Sequence, residues 1–204
     1  YSWEEINKWL ERIAKFSSEI DFPLNDIQIK GTAKLDGFAG YDDGKKLYTR
    51  GDGNKGSDIS RVFERGLGVF NNSERGQGPG EIVVKRSYFE KYLSNHFEYP
   101  RNFQASLIKE KELDRFAIDA ISSKAALFVP FNQLPHWLGS IDEFRKQFLD
   151  VVSQLEGGVD FDIDGVVFEI VNPELKNHMG SNRKFHRWQI AFKENKEKAQ
   201  VKVL

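Results

Sequence analysis

Cysteine is absent from the 204-residue chain. That excludes a disulfide framework, a thiolate zinc site and a cysteine nucleophile. An excess of either charge is missing too: 30 Lys and Arg face 31 Asp and Glu, for a formal net charge of -1. A dedicated nucleic-acid-binding domain usually carries a basic excess, so any such contact must rest on a local patch. No apolar run approaches the ~18–20 residues of a membrane-spanning helix. No secretory leader is visible, because the opening YSWEEINKWL is acidic and amphipathic. These absences give the expectation of a cytoplasmic, or intracellular viral, setting with no membrane partner. The chain opens on Tyr1 rather than methionine, as a segment of a longer polypeptide would.

What is present reads as globular, with 39% hydrophobic and 30% charged residues. Three S-x-x-E capping boxes start at Ser2, Ser87 and Ser140. The first opens an expected helix from Trp3 to about Ser17, with Ile6, Trp9, Leu10, Ile13 and Phe16 on one face. The second opens a helix to about Asn95, and the third a helix ending near Gly157–Gly158. Asp58 or Ser57 can cap another, with Ile59, Val62 and Phe63 as its apolar face. Strands are expected at EIVV, RFAIDAI (Arg115–Ile121), ALFVPF, FDIDGVVFEIV and RWQIAFK. Helices scattered among strands without βαβ alternation give an α+β class, with mostly antiparallel β-sheets flanked by helices.

The stretch DIQIKGTAKLDG alternates. Ile27, Ile29, Gly31, Ala33 and Leu35 share one parity; Gln28, Lys30, Thr32, Lys34 and Asp36 share the other. A strand sends the first set to a core and the second to a polar face, with Lys34 and Asp36 ~6.5–7 Å apart along it. Asp42-Asp43-Gly44-Lys45 marks a hairpin, and KLYTR is its return strand. The RGDGNKGSD that follows matches no nucleotide or calcium loop. It lacks the G-x-x-x-x-G-K-[ST] of a P-loop. Counted from Asp52, its sixth and twelfth residues are Ser57 and Phe63, where an EF-hand needs glycine and glutamate. Gly51, Gly53 and Gly56 miss the dinucleotide-binding spacing. Ser181–Lys193 carries Arg183, Lys184, Arg187 and Lys193 with no acid, either a basic patch or a protected strand edge.

Lys-x-Asp-Gly alone is a weak signal. Its order of companions is stronger: KLDG, TRGDG, GEI (Gly80–Ile82), PRN (Pro100–Asn102), DIDGVV (Asp162–Val167) and RWQIAFK (Arg187–Lys193). This series resembles the adenylation domain of NAD-dependent DNA ligases over nearly the whole chain. The resemblance implies a nucleotidyltransferase, ATP-grasp-like architecture over 1–195, with 196–204 as a linker toward an OB-fold domain. It implies that Lys34 attacks the α-phosphate of NAD, keeps AMP and passes it to a 5′-phosphate at a nick. It implies Lys34, Asp36 and Asp164 as catalytic residues. Thr32, Arg50, Glu81, Arg101 and Lys193 are implied as contacts to the nucleotide, and Glu81 and Asp164 as carboxylates for Mg2+. Gly37 and Gly165 complete the two Asp-Gly pairs. The partner implied is nicked DNA, gripped largely by other domains: a small one ahead of Tyr1 and others beyond Leu204. The isolated domain is expected to be monomeric, and the chain alone is not expected to seal nicks well.

The chemistry suits these residue types. Only about 0.04% of an ordinary lysine is free amine at pH 7. A lysine nucleophile therefore needs burial or nearby cations; Lys30, Arg50 and Lys193 are the candidates. The same cations would neutralise charge on the transferring phosphoryl group.

Four positions depart from the family pattern. Thr32 stands where a glutamate normally reads the adenine edge, and Glu169 where the fourth motif has a lysine. Glu156 replaces an arginine, and Ser106–Ile108 reads SLI for Ser-Leu-Arg, with Lys109 next in line. A unit charge ~5 Å from a phosphate is worth roughly 3 kcal/mol at an effective dielectric of 20, and reversing it about twice that. Glu169 must turn away, be offset by another cation, or impair the site. Two alternatives stay open: a degenerate nucleotide- or partner-binding module of the same fold, and an RNA-ligase or capping-type nucleotidyltransferase.

Overall fold

The computed structural model describes residues 3–49, 56–182 and 185–193. In chain order its elements are helix α1 (Trp3–Glu19), strands β1 (Gln28–Leu35), β2 (Phe38–Asp42) and β3 (Leu47–Thr49), α2 (Arg61–Glu64), β4 (Gly68–Val69), β5 (Gly78–Val84), α3 (Arg86–Tyr88), α4 (Pro100–Lys109), α5 (Arg115–Ser122), β6 (Ala126–Pro130), β7 (His136–Ser140), α6 (Ile141–Gly157), β8 (Ile163–Ile170), α7 (Pro173–Met179) and β9 (Gln189–Phe192). A π-turn, Phe89–Leu93, continues α3. The fold is α+β, as the sequence implied.

The chain forms two compact units. The first comprises Tyr1–Lys34, Pro135–Val159 and Ile163–Leu204; the second comprises Leu35–Leu134 and Asp160–Asp162. The first unit holds a four-stranded sheet in the order β7-β1-β8-β9. The pairs β1–β7 and β8–β9 are antiparallel. Ile6, Trp9, Leu10 and Ile13 of α1 and Phe144, Phe148, Val151, Val152 and Leu155 of α6 bury their apolar stripes with Ile27, just ahead of β1, and Ile29, Phe168 and Ile190 of the sheet. The capping box at Ser140 is present in full: its hydroxyl accepts from the Glu143 amide, and the Glu143 carboxylate accepts from the Ser140 amide. The box expected at Ser2 lies outside the described residues.

The second unit holds a five-stranded sheet in the order β3-β2-β5-β6-β4. Its pairs are antiparallel except β4 with β6. Phe103 and Leu107 of α4, Ala117, Ala120 and Ile121 of α5, and Ile82, Val84 and Phe128 of the sheet form its core. The expected hairpin at Asp42–Lys45 is the β2–β3 turn, closed by the Asp43 amide on the Lys46 carbonyl.

Three expectations of local structure fail. Arg115–Ile121 is helix α5, not a strand: Asp114 caps it by accepting from the Ala117 amide. Its buried residues, Ala117, Ala120 and Ile121, recur at helical spacing, a pattern that a seven-residue apolar run leaves ambiguous. Ser87 opens no capping box, since it lies inside α3, whose N-cap Lys85 makes no side-chain bond. Its amide and hydroxyl both go to the Asp160 carboxylate instead. Neither Asp58 nor Ser57 caps α2, a single turn behind Ser60; the Asp58 carboxylate accepts from the Ser60 amide and hydroxyl.

A half-buried ion pair ties the β2–β3 hairpin to the loop before β5. Asp42 is 1% exposed. It accepts two bonds from the Arg75 guanidinium, at 2.8 and 2.9 Å, and one each from the Gly44 and Gly76 amides at 3.0 Å. Arg75 also lies 3.6 Å over the Phe63 ring. Burial alone pushes the Asp42 carboxyl up, but the Arg75 bonds and the two amides more than offset this, and it falls below the usual carboxylate value. Its folded pKa thus lies below its unfolded one, so the stability it contributes is present above the unfolded value of about 3.9 and is lost as pH falls through the folded value. Urea unfolding of Asp42→Asn should show lower stability than the wild type at pH 7. It should also show a flatter fall below about pH 4, because that part of the acid sensitivity has been removed.

Candidate active site

The candidate residues fall into two groups, one in each unit. In the first unit, β1 alternates as read: Ile29, Gly31, Ala33 and Leu35 are buried, while Lys34 is exposed and Lys30 and Thr32 are half-buried. Lys34 thus stands on the non-core face of the sheet and is not buried by the chain's own packing. Lys30, four residues back on the same strand, is ~13 Å away along it, beyond a Debye length of ~8–10 Å. Thr32 stands opposite His136 of β7.

Asp164, near the start of β8, lies 2.8 Å from the Lys193 ammonium, just past the end of β9. Both are partly exposed, at 42% and 69% of the side chain, so the pair is weak as a stabilising contact but holds two expected site residues together. The glycine after Asp164 has a physical reason. Gly165 sits at φ +106°, and a Cβ there would lie 2.4 Å from the Phe192 carbonyl oxygen. Only glycine lets β8 begin this close to the residue before Lys193.

Glu169 does not leave this face. Val166, Phe168 and Ile170 fill the core, so Glu169 shares the other side of the sheet with Thr32 and Lys34. It pairs in register with Gln189, whose amide lies 3.5 Å from its carboxylate. The strand expected over RWQIAFK is formed only from Gln189 to Phe192, with Ile190 and Phe192 buried and Gln189 on the non-core side; Arg187 lies ahead of it in a turn and donates to the Met179 carbonyl.

In the second unit, the Asp36 carboxylate lies 3.8 Å from the Arg101 guanidinium. The Asp36 amide donates to the Asp162 carbonyl at 2.9 Å. The Gly37 amide donates to the Glu81 carboxylate at 2.8 Å. A Cβ on Gly37 would meet the Ile82 carbonyl at 2.3 Å, so this Asp-Gly also needs its glycine for close approach. Asp36 and Arg101 open onto a cavity of about 440 Å³, lined further by Asp162, Lys109, Phe38 and Tyr99. Its size falls in the range of small-ligand sites, ~300–1,000 Å³. The structure thus brings Asp36, Glu81 and Arg101 together in one unit, and Asp164 and Lys193 in the other. Arg50 and the rest of the RGDGNK stretch, 50–55, lie outside the described residues, as do Arg183 and Lys184 of the basic patch and the linker at 196–204.

Sequence reasoning named PRN as a motif but foresaw no helix around it. Pro100 at the first helical turn was the available signal. Helix α4 puts Arg101, Ala105 and Lys109 at spacings of four, along one side. Lys109 thereby becomes the second cation of the cavity, two turns from Arg101. Asp162 was missed as a site residue because its neighbour Asp164 carried the motif.

Among the described residues, no three or more His, Asp or Glu side chains converge as a preformed metal site. Mg2+ is commonly held by one or two carboxylates together with substrate phosphates and water. Glu81, in the second unit, and Asp164, in the first, are carboxylates of that hard-oxygen donor type. No helix among the described residues is long and apolar enough to cross a membrane.

Fold and site define an α+β protein with a lysine on an open sheet face and paired carboxylates and cations in both units. No protein-family model matches the chain. Over its whole length the chain is 66% identical to a DNA ligase of Ruthia magnifica, of which it covers 33%. It is 53% identical to one of Shewanella baltica, covering 32% of it. With a DNA ligase of Thermosipho africanus, identity falls to 28% over an alignment that takes in all of this chain and 35% of the relative. The chain therefore corresponds to about a third of these relatives, whose remaining length lies outside it.

Proposed function

We propose that the chain is the adenylation domain of an NAD-dependent DNA ligase, with the nucleotidyltransferase architecture of that family. The observation that carries this reading is the 66% identity, without loss of coverage, to one third of a protein named DNA ligase. The Lys34 amine attacks the α-phosphorus of NAD. A nitrogen–phosphorus bond forms, the pyrophosphate bond breaks, nicotinamide mononucleotide leaves, and a proton passes from the amine to solvent. AMP then moves to the 5′-phosphate of a nick, releasing the lysine.

Lys193 and Arg50 supply positive charge to the phosphate, and Thr32 lies on the adenine side. Asp164 holds the Lys193 ammonium, which it meets at 2.8 Å. Asp36 and Arg101 hold each other at the mouth of the cavity, and Glu81 fixes the Gly37 amide. Glu81 or Asp164 would hold Mg2+, which would supply charge neutralisation to the transferring group. Nicked DNA and any grip on the nicotinamide half belong to the longer protein.

Glu169, on the same face as Lys34, favours a second reading: a module that binds nucleotide without forming the adduct. A panel of NAD, ATP and GTP, each with Mg2+, separates the readings. It should be run on the chain and on the longest natural polypeptide that contains it. NAD-dependent adduct supports the proposal. Nucleotide binding without adduct supports the second reading, and guanylate transfer from GTP supports a capping-type enzyme.

A further inference from the structure

Strands β2 and β5 pair from Phe38↔Ile82 to Asp42↔Gly78. Two residues further back, the same antiparallel register would set Asp36 against Val84. That rung is not made. Between the two stands the side chain of Gln104 from α4. Its Oε1 accepts from the Val84 amide at 2.9 Å, and its Nε2 donates to the Asp36 carbonyl at 3.0 Å. The carboxamide occupies the ladder as an inserted peptide group would. Adjacent strands lie ~4.8 Å apart, so an inserted amide holds Asp36 roughly one further rung away from β5.

The consequences run through the next two residues. The Asp36 amide donates to the Asp162 carbonyl. Gly37 gives its amide to Glu81. The Asp36 carboxylate reaches Arg101 and the cavity. Gln104 itself is 0% exposed. A buried carboxamide is costly unless its polar atoms are bonded, and a leucine or methionine would fill the same core volume without that demand. Both partners are main-chain groups: the Val84 amide at the end of β5 and the Asp36 carbonyl within the Lys-x-Asp-Gly turn.

We propose that Gln104 is a positioning residue for adenylate transfer: its carboxamide splays Asp36 and Gly37 from the sheet and so sets the turn two residues after Lys34. This rests on the adenylation reading above. The test uses Gln104→Glu and Gln104→Met. An ionised carboxylate at this position still accepts from Val84 but cannot donate to the Asp36 carbonyl; a protonated one can do both. At saturating nucleotide, single-turnover adduct formation by Gln104→Glu should fall about 10–100-fold below wild type at pH 8. The variant-to-wild-type ratio should climb as pH drops toward 6, while nucleotide affinity changes little. Gln104→Met should be slow at every pH.

Amide hydrogen exchange gives a readout independent of activity. In Gln104→Glu at pH 8, Gly37 should exchange at least about tenfold faster while Val84 stays protected; in Gln104→Met both should speed up. A pH-independent ratio near one, with Gly37 exchanging as in wild type, overturns the inference and leaves the adenylation reading intact. If the wild type takes no adenylate at all, the adenylation reading fails. The Gly37 exchange rate then decides alone whether Gln104 sets the turn.

Discussion

Lys34→Ala should take no adenylate from any nucleotide, with adduct formation reduced at least about 1,000-fold. The phosphoramidate needs an amine, and no other lysine of β1 can stand in, since Lys30 is ~13 Å along the strand. Lys34→Arg should be equally inert, because a guanidinium stays protonated. The loss cannot be assigned to unfolding. Lys34 is exposed, and exposed substitutions away from special contacts usually stay within about 0.5 kcal/mol. Transfer of label from adenylate-labelled NAD, read on the denatured protein beside a thermal melt, checks both halves. A fully labelled Lys34→Ala protein would remove the nucleophile from the account.

The largest structural effect is expected at Gly165. Alanine there must adopt φ +106° with its Cβ 2.4 Å from the Phe192 carbonyl. The first cost is strain of ~1–3 kcal/mol. The second is displacement of the Val166↔Phe192 end of the β8–β9 pair and, with it, the Lys193–Asp164 contact. Together they should cost about 3 kcal/mol or more, a fall in melting temperature of roughly 6–12 °C for a chain of this size. Gly157→Ala is the control. Nothing lies within 4 Å of a Cβ there, at the last residue of α6, so the change should be neutral or slightly stabilising. Calorimetry on the two variants distinguishes a backbone requirement from a general intolerance of added bulk.

How much of this was legible beforehand depends on the physical signal each residue carries. Period-two alternation from Ile27 to Leu35 set the faces of β1, because a strand with one buried side must repeat at that period. The Ser140 box worked because both of its partners are local, whereas the Ser87 box failed because a distant carboxylate, Asp160, took both its groups. Arg115–Ile121 was misread since a short apolar run fits either a strand or a helix. Gln104 was invisible. A lone glutamine normally belongs to the surface, and only the missing rung between Asp36 and Val84 gives it a task. The retention of Glu169 on the Lys34 face was equally beyond a linear reading, for it depends on how β8 packs beside β1, a strand distant in sequence.

The central claim is a covalent bond between one lysine and adenylate. Proteolytic peptide mapping by mass spectrometry, after exposure of the protein to NAD and Mg2+, tests it most directly. The account predicts a single adenylate on the peptide that contains Lys34. Adenylate on another residue, or tightly bound AMP with every lysine peptide unmodified, would contradict it.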